Sequence, residues 1–311
     1  MSAPGVREGQ TFTGASRLIA YVNLVKLPHT IFALPFALVG VVLASYRRSL
    51  RLADVGWVVL AFTAARFAAM AFNRIVDREI DRRNPRTAMR ELPRGALGIG
   101  EAWTAVMAAS GLFVYAASQL NPLCLTLSPV ALTWIFFYSY TKRFTLLSHL
   151  VLGGSLAIAP VGGYLAVVGA WSRPWWMLIA LALGVAMWVA GFDIFYSLQD
   201  VEFDRAQHLL SIPAALGESG AIRVARWTHV VSIFCLIVVG FAVHAGGWYW
   251  VGVAVAAALL AYEHSLVAPG ALEKLDAAFF TMNGMISITF FFFVLVDRLL
   301  RHAALTLRSL P

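Results

Sequence analysis

The residues of this chain that could do chemistry are concentrated in two short acidic stretches. In the first, residues 73–87 (NRIVDREIDRRNPRT), Asn73, Asp77 and Asp81 stand four residues apart. On a helix of about 3.6 residues per turn, this interval places the three side chains near one face. Their amide and carboxylate oxygens are the ligands that a hard cation such as Mg²⁺ prefers. The first acidic stretch therefore predicts part of a magnesium site.

The second acidic stretch, residues 193–205 (DIFYSLQDVEFDR), repeats the same interval in Asp200 and Asp204. Asp193 precedes Asp200 by seven residues and Tyr196 stands between them, so helical geometry brings all four to one side. If both stretches face one pocket, their carboxylates repel each other unless cations lie between them. Bound Mg²⁺ is the cofactor that this arrangement predicts, and Mg²⁺ readily takes phosphate oxygens as further ligands.

Seven arginines lie between Arg74 and Arg94, within and just after the first acidic stretch. Guanidinium groups bind phosphate oxygens in bidentate geometry. Together with the carboxylates they predict a metal-bridged diphosphate site, in which the acids hold Mg²⁺ and the bases hold the diphosphate. The arginines best placed for this role are Arg82, Arg83, Arg86, Arg90 and Arg94.

The alternative to a metal site is that the acids only solvate a helix end, because a single D-x-x-x-D is common on any solvated helix end. Two of them in one chain, each at the end of an apolar segment, favour the metal site. Arg66 supports it, because it lies seven residues before Asn73 on the same predicted helical face and inside an apolar run. An ionisable residue inside a membrane span is costly and indicates function. The structural alternative for Arg66 is an ion pair with Asp77 or Asp193.

The sequence around these stretches is typical of a membrane protein. Of its 311 residues, 60% are hydrophobic and 13% are charged, whereas a soluble domain carries about 25% charged residues. Apolar runs of about 20 residues are long enough to cross a bilayer as helices. We therefore predict an all-α, polytopic membrane protein, a single domain over residues 1–311 with nine transmembrane helices. The predicted spans are 24–46, 52–75, 98–119, 122–140, 148–169, 174–196, 222–244, 247–268 and 276–298.

The basic residues fit membrane topology rather than nucleic-acid binding. The net charge is +8, but the bases stand between apolar runs and no nucleic-acid motif is present, so the predicted partner is the lipid bilayer. The densest basic segment, 76–97, is predicted in the cytoplasm together with Lys142, Arg143 and the N-terminus. This places the acidic stretches at the cytoplasmic side of the inner membrane. The arginines of residues 47–51 fall outside and count against this orientation.

The two motifs resemble those of the UbiA superfamily of intramembrane prenyltransferases. Residues 73–95 (NRIVDREIDRRNPRTAMRELPRG) are similar to the superfamily's first motif, N-x-x-x-D-x-x-x-D, and residues 193–205 to its second. The segment YSYTKR, residues 138–143, is similar to a loop between the motifs. The likeness covers nearly the whole chain, and NPRTAMRELPRG is most similar to the 4-hydroxybenzoate polyprenyltransferases.

The resemblance implies a helical bundle around a central cavity, with polyprenyl diphosphate and an aromatic acid, 4-hydroxybenzoate, as substrates in quinone synthesis. It implies that Mg²⁺ and diphosphate are held by Asn73, Asp77, Asp81, Asp200 and Asp204. It also implies diphosphate contacts from Arg86, Arg90, Lys142 and Arg143. One departure stands at Gln199, where some relatives carry lysine.

The expected chemistry is loss of diphosphate from the allylic donor, followed by attack of the phenol ring ortho to its hydroxyl. A carboxylate, Asp193 or Asp200, would take the ring proton, and Arg66 would pair with the acceptor's carboxylate. Alternative acceptors are dihydroxynaphthoate, haem, or a chlorophyll or archaeal-lipid precursor. A transporter is the alternative of a different class, but two acidic stretches facing the same side are awkward for alternating access.

Overall fold

The structure, a computed structural model, describes residues 12, 16–269 and 281–308, and its regular elements are helices. The all-α prediction is therefore confirmed. A single turn of 3₁₀ helix, Leu198–Asp200, lies between α8 and α9. The helices are α1 (Arg17–Leu24), α2 (Leu27–Ala44), α3 (Leu52–Val76), α4 (Arg78–Arg83), α5 (Ile99–Leu120), α6 (Pro122–Thr141), α7 (Ser148–Val168), α8 (Trp176–Ser197), α9 (Val201–Ala206), α10 (Ile212–Ala242), α11 (Gly247–Leu266) and α12 (Asn283–Arg308).

Within the described part of the chain, eight helical segments are long and apolar enough to cross a membrane, which makes this a multi-pass membrane protein. They are α3, α5, α6, α7, α8 continued through α9, α10, α11 and α12. The remaining predicted span, 24–46, corresponds to α2, which has 18 residues and a shorter apolar segment, Ala33–Ala44. The nine-span prediction is thus roughly consistent with the fold. Residues 276–280 of the last predicted span lie outside the described residues.

Two helix boundaries differ from the predicted ones for local reasons. The first predicted span is interrupted because Lys26 adopts a left-handed backbone conformation, with φ of 46°, which separates α1 from α2. Helix α10 begins ten residues before the predicted start at 222, because Ser211 caps it by accepting a hydrogen bond from the Ala214 amide. Gly217, with φ of 68°, kinks this added segment.

Helices α2, α7 and α8 pack closely because glycine lies at their contacts. A Cβ atom at Gly153 of α7 would stand 2.2 Å from the carbonyl oxygen of Ala186 in α8. One at Gly163 would stand 2.3 Å from the carbonyl oxygen of Ala37 in α2. Small residues allow such backbone contact between membrane helices. The largest apolar core cluster joins these three helices to α10, α11 and α12.

The loops alternate between the two ends of the bundle. At one end, called here the carboxylate end, lie residues 77–98, 142–147 and 198–211; the Leu210 amide donates to the Lys142 carbonyl there, at 2.8 Å. At the other, called the opposite end, lie the loops 45–51, 169–175 and 243–246. There the Arg47 guanidinium donates to the Arg173 carbonyl at 2.7 Å. Both acidic stretches therefore reach the same end of the bundle.

Candidate active site

One cavity of about 930 Å³ runs from the carboxylate end into the apolar interior, with walls from α3, α6, α7 and α8. Its polar residues include the predicted site residues except Arg143 and three of the arginines predicted for the diphosphate, Arg82, Arg83 and Arg94, which do not line the cavity. Alanine, leucine, valine and phenylalanine side chains line the deeper part. The predicted site residues on its wall are Arg66, Asn73, Asp77, Asp81, Arg86, Arg90, Lys142, Asp193, Asp200 and Asp204.

The first acidic stretch keeps its side chains aligned across a helix boundary. Helix α3 ends at Val76 and α4 begins at Arg78, yet the Asp77 amide donates to the Asn73 carbonyl at 2.9 Å. The Asp81 amide likewise donates to the Asp77 carbonyl at 2.8 Å. Because the four-residue bonding continues, the Asn73 amide group also reaches the Asp77 carboxylate, at 3.1 Å. The spacing argument from the sequence describes this stretch well.

Asp77 is neutralised by the loop that follows α6. Its Oδ2 atom accepts from Lys142 Nζ at 2.7 Å, and its Oδ1 atom accepts from Arg143 Nη2 at 2.9 Å. Arg143 also donates to the carbonyls of Ser139 and Val76, at 2.6 and 3.0 Å. Arg143 therefore braces the ends of α6 and α3, while Lys142 faces the cavity.

Asp81 is neutralised by the loop that follows its own helix. Arg90 Nη1 lies 2.7 Å from Oδ1, and Arg74 Nη1 lies 3.8 Å from Oδ2. The Thr87 hydroxyl donates to the Asp81 carbonyl at 3.1 Å, which folds the loop back over the carboxylate. Asp81 is 4% exposed, and no hydrogen bond to its Oδ2 atom is present among the described residues. A buried carboxylate oxygen that accepts no hydrogen bond is suited to bind a cation.

The loop of the first stretch also supplies the cation for the second. Arg86 makes a bidentate ion pair with Asp200, with Nε donating to Oδ1 at 2.9 Å and Nη2 to Oδ2. The Asn84 side-chain amide donates to Oδ1 at 2.8 Å. Arg86 Nη1 donates to the Tyr196 hydroxyl at 2.7 Å, and its guanidinium lies over the Tyr196 ring. Asp204, half-buried, lies on the cavity wall one turn beyond Asp200.

The remaining acid of the second stretch, Asp193, lies further along the cavity. Its Oδ2 atom is 2.6 Å from Nδ1 of His149, near the start of α7. The two ion pairs that the sequence offered for Arg66 involve acids that bind other groups: Asp77 binds Lys142 and Arg143, and Asp193 binds His149. Arg66 itself lines the cavity two turns before Asn73.

The carboxylates are neutralised one by one rather than grouped. Among residues 12, 16–269 and 281–308, no three His, Cys, Asp or Glu side chains are close enough together to hold a metal ion. The donor chemistry nevertheless fits Mg²⁺, because the wall carries carboxylate and amide oxygens and the Asp81 Oδ2 atom accepts no hydrogen bond within the same residues. To bind a metal ion, these acids would have to give up their ion pairs with arginine and lysine and coordinate the ion instead.

Comparison with known proteins gives the same family as the motifs. Residues 33–292 match the model of the UbiA prenyltransferase family. The chain belongs to this family. As a UbiA prenyltransferase it is an enzyme, and the resemblance seen in the sequence is confirmed.

Known relatives cover most of this UbiA protein. The 4-hydroxybenzoate octaprenyltransferase of Nitrosospira multiformis is 28% identical over 249 residues, which is 79% of this chain and 83% of that protein. A UbiA homologue from Aeropyrum pernix K1, solved in its apo form, is 35% identical with a TM-score of 0.79, covering 86% of this chain and 98% of that one. A homologue from Archaeoglobus fulgidus bound to DMAPP and Mg²⁺ shares the fold, with a TM-score of 0.68 at 20% identity, covering 90% and 99%.

Several contacts of the UbiA site were not predicted from the sequence. Asn84 and His149 contact the acidic residues across 116 and 44 positions, and Lys26 donates to the Tyr196 hydroxyl at 3.4 Å. No local spacing could indicate these pairs, because packing between distant helices creates them. At the departure noted in the motif, the Gln199 amide nitrogen is buried without a hydrogen bond among the described residues, and Gln199 is not among the residues that line the cavity.

Proposed function

We propose that this protein transfers a polyprenyl group from polyprenyl diphosphate to an aromatic acid, 4-hydroxybenzoate, in quinone synthesis, and that the reaction depends on Mg²⁺. The observation that carries the proposal is that both acidic stretches line one cavity whose deeper wall is apolar. Such a cavity matches a donor with a polyanionic head and a hydrocarbon tail. The names of the bacterial relatives support the acceptor, and the fold shared with a homologue bound to DMAPP and Mg²⁺ is compatible with the donor.

The carboxylate end would bind the diphosphate. Bound Mg²⁺ supplies positive charge that offsets the negative charge of the leaving diphosphate. The residues that would hold the ion are Asn73, Asp77, Asp81, Asp200 and Asp204. Once these acids bind the ion, their present cationic partners are available to the phosphate oxygens in charge-assisted hydrogen bonds. Those partners are Arg86, Arg90, Lys142 and Arg143.

The reaction begins when the bond between C1 of the prenyl chain and the diphosphate oxygen breaks, and its electron pair leaves with the diphosphate. Cationic side chains are most effective at this step in a site that excludes water, and the apolar wall provides one. The ring carbon ortho to the acceptor's hydroxyl then attacks C1. The new C–C bond uses a ring electron pair, and loss of the ring proton restores aromaticity.

Asp193 is the better of the two predicted bases. Asp200 is occupied by a bidentate arginine and by Asn84, whereas the one hydrogen bond of Asp193 among the described residues is to His149. Arg66 lines the cavity and belongs to the apolar part of α3. A guanidinium there would bind the acceptor's carboxylate in bidentate geometry and direct the phenol toward C1.

We place the carboxylate end at the cytoplasmic side of the inner membrane. The segments 77–98 and 142–147 carry most of the arginine and lysine of the connecting loops, and such loops stay in the cytoplasm. The aromatic acid would then reach the site from the cytoplasm. A transporter is disfavoured, because both acidic stretches lie at one end of the bundle rather than at its midplane.

Membranes containing the wild-type protein or the Asp200→Ala variant would be incubated with labelled polyprenyl diphosphate and a panel of acceptors, with Mg²⁺ or with EDTA. We expect labelled prenyl-4-hydroxybenzoate from the wild type with Mg²⁺, and none with EDTA or from the variant. If product forms only with a naphthoate, with haem or with a glycerol lipid, that compound would replace 4-hydroxybenzoate as the proposed acceptor. Turnover by Asp200→Ala at the wild-type rate would contradict the metal and diphosphate site.

A further inference from the structure

His149 is a buried histidine whose place on the cavity wall the reaction does not yet explain. It is the second residue of α7, it is 3% exposed, and it lines the cavity beside Asp193. Its Nδ1 atom lies 2.6 Å from Asp193 Oδ2. A contact this short between an imidazole and a carboxylate requires a proton between the two atoms.

The other imidazole nitrogen determines where that proton sits. The Ile212 amide donates to His149 Nε2 at 3.4 Å. Ile212 is the first residue of α10, and its amide is one of the four that a helix start leaves without an intrahelical partner. The Ser211 hydroxyl caps Ala214 instead, so Nε2 is the acceptor for Ile212. The ring proton of a neutral His149 therefore lies on Nδ1 and is donated to Asp193.

We propose that His149 is a positioning residue that holds the Asp193 carboxylate in the orientation needed to take the ring proton. This inference rests on the proposed prenyl transfer and assigns its base. Because Oδ2 accepts the Nδ1 proton, Oδ1 is the oxygen that receives the proton from the prenylated ring carbon. The C–H electron pair returns to the ring, and the Asp193 carboxylate becomes a neutral acid. The Asp193 side chain is 20% exposed, which leaves it accessible from the cavity.

Three helices fix this geometry. Asp193 lies in the last two turns of α8, His149 in the first turn of α7 and Ile212 at the start of α10. An imidazole bonded at both nitrogens cannot rotate without losing a hydrogen bond at one of them. The Asp193 carboxylate is held in the same way, and small errors in the position of a base lower turnover strongly.

His229 offers a matched control, since it is also 3% exposed and hydrogen-bonded at both nitrogens, to His264 and to the Trp188 carbonyl. It does not line the cavity.

We expect His149→Ala to lower kcat about 10- to 100-fold with KM for both substrates nearly unchanged. His149→Asn should recover much of that loss, because its side-chain amide can donate to Asp193 in place of Nδ1. His229→Ala should keep kcat even where it lowers Tm.

An acceptor deuterated ortho to its hydroxyl separates positioning from folding. In His149→Ala the isotope effect on kcat should rise above the wild-type value, because proton removal becomes slower than C–C bond formation. If the wild type is active and His149→Ala leaves both kcat and the isotope effect unchanged, the inference is overturned. A loss of kcat in His149→Asn as large as that in His149→Ala would also overturn it. A wild type without prenyl transfer to any acceptor would instead overturn the proposed function.

Discussion

Helix α3 carries a buried aspartate at each end, and the two are held in different ways. Asp54, in the first turn, is 5% exposed and pairs with Arg51, three residues earlier, at 2.6 Å. The helix dipole favours an acid at this position. Asp77, between α3 and α4, is 4% exposed, and its side chain makes no capping hydrogen bond to the start of α4. Two cations from a distant loop, Lys142 and Arg143, are needed to hold it there. The comparison separates an acid that pairs within its own helix start from one that lines the cavity and depends on the cations of a distant loop.

The basic residues of the two ends differ in the same way. At the opposite end Arg51 pairs with Asp54, but two others donate to carbonyls near helix C-termini: Arg48 to Val167, and Arg298 to Ser45, at 3.3 and 2.9 Å. Cations near the C-terminus of a helix are stabilising in themselves. At the carboxylate end the cations bind carboxylates that line a cavity. Positive charge in a loop therefore does not indicate a site unless acids and a cavity accompany it.

The largest difference between the two ends should appear when each aspartate of α3 becomes asparagine. Asp77→Asn removes a carboxylate from the proposed magnesium and diphosphate site, and we expect prenyl transfer to fall about 100- to 1,000-fold. Asp54→Asn removes an ion pair whose arginine is largely exposed, so it should keep activity and lose about 1 kcal/mol of stability at most. Both variants would be measured by kcat/KM for the polyprenyl diphosphate. Equal activity in the two would remove the functional distinction between the ends of α3.

A second test compares arginine with lysine at each end. Arg86 donates through three nitrogens to Asp200 and Tyr196, a pattern that a lysine cannot reproduce. Arg86→Lys should therefore lower kcat/KM for the diphosphate donor about 10- to 100-fold. Arg48 makes one bond to the Val167 carbonyl, which a lysine can replace, so Arg48→Lys should retain wild-type turnover. Full activity of Arg86→Lys would show that bidentate pairing has no part in the site.

The parts of this site that could be predicted from the sequence are those with local spacing. Asn73, Asp77 and Asp81 share a face because backbone bonding at four-residue intervals continues past the end of α3. The apolar runs likewise predicted most of the spans within a few residues, except for the start of α10 and the end of α12. The contact of Asp193 with His149 depends on packing of α7 against α8, and no interval in the sequence encodes it.

The cations that pair with the acids of the site also could not be predicted from the sequence. The sequence predicted that a metal ion offsets the repulsion between the acids. In the structure, Asp77, Asp81 and Asp200 each pair with a lysine or an arginine. The cations come from loops 65 to 114 positions away for Asp77 and Asp200, and from nine positions away for Asp81. Only the folded arrangement shows that the bases predicted to bind diphosphate pair with the acids.

At the opposite end, the residue expected to matter most for stability is Asp297 of α12. It is 2% exposed and accepts from the amides of Gly246 and Tyr249, at 2.9 and 3.3 Å, at the start of α11. Asp297→Ala leaves these donors without an acceptor and should lower the free energy of unfolding by about 2 kcal/mol or more. Below the lowered Tm, kcat for prenyl transfer should equal that of the wild type. A fall in kcat with unchanged Tm would mean that this end also takes part in the reaction.

The smallest expected effect concerns Tyr46, whose hydroxyl donates to Asp297 Oδ2 at 3.2 Å. Burial, together with the nearby Asp297 carboxylate, raises the pKa of the Tyr46 phenol from 10.0 to about 12. A phenol with a raised pKa stabilises the folded state fully below pH 10, and this contribution is lost as the pH rises toward 12. The Tm advantage of the wild type over Tyr46→Phe should therefore be constant up to about pH 9.5 and shrink at higher pH. An advantage that stays constant or grows up to pH 12 would contradict the assigned hydrogen bond, since an ionised phenol beside Asp297 can only repel it.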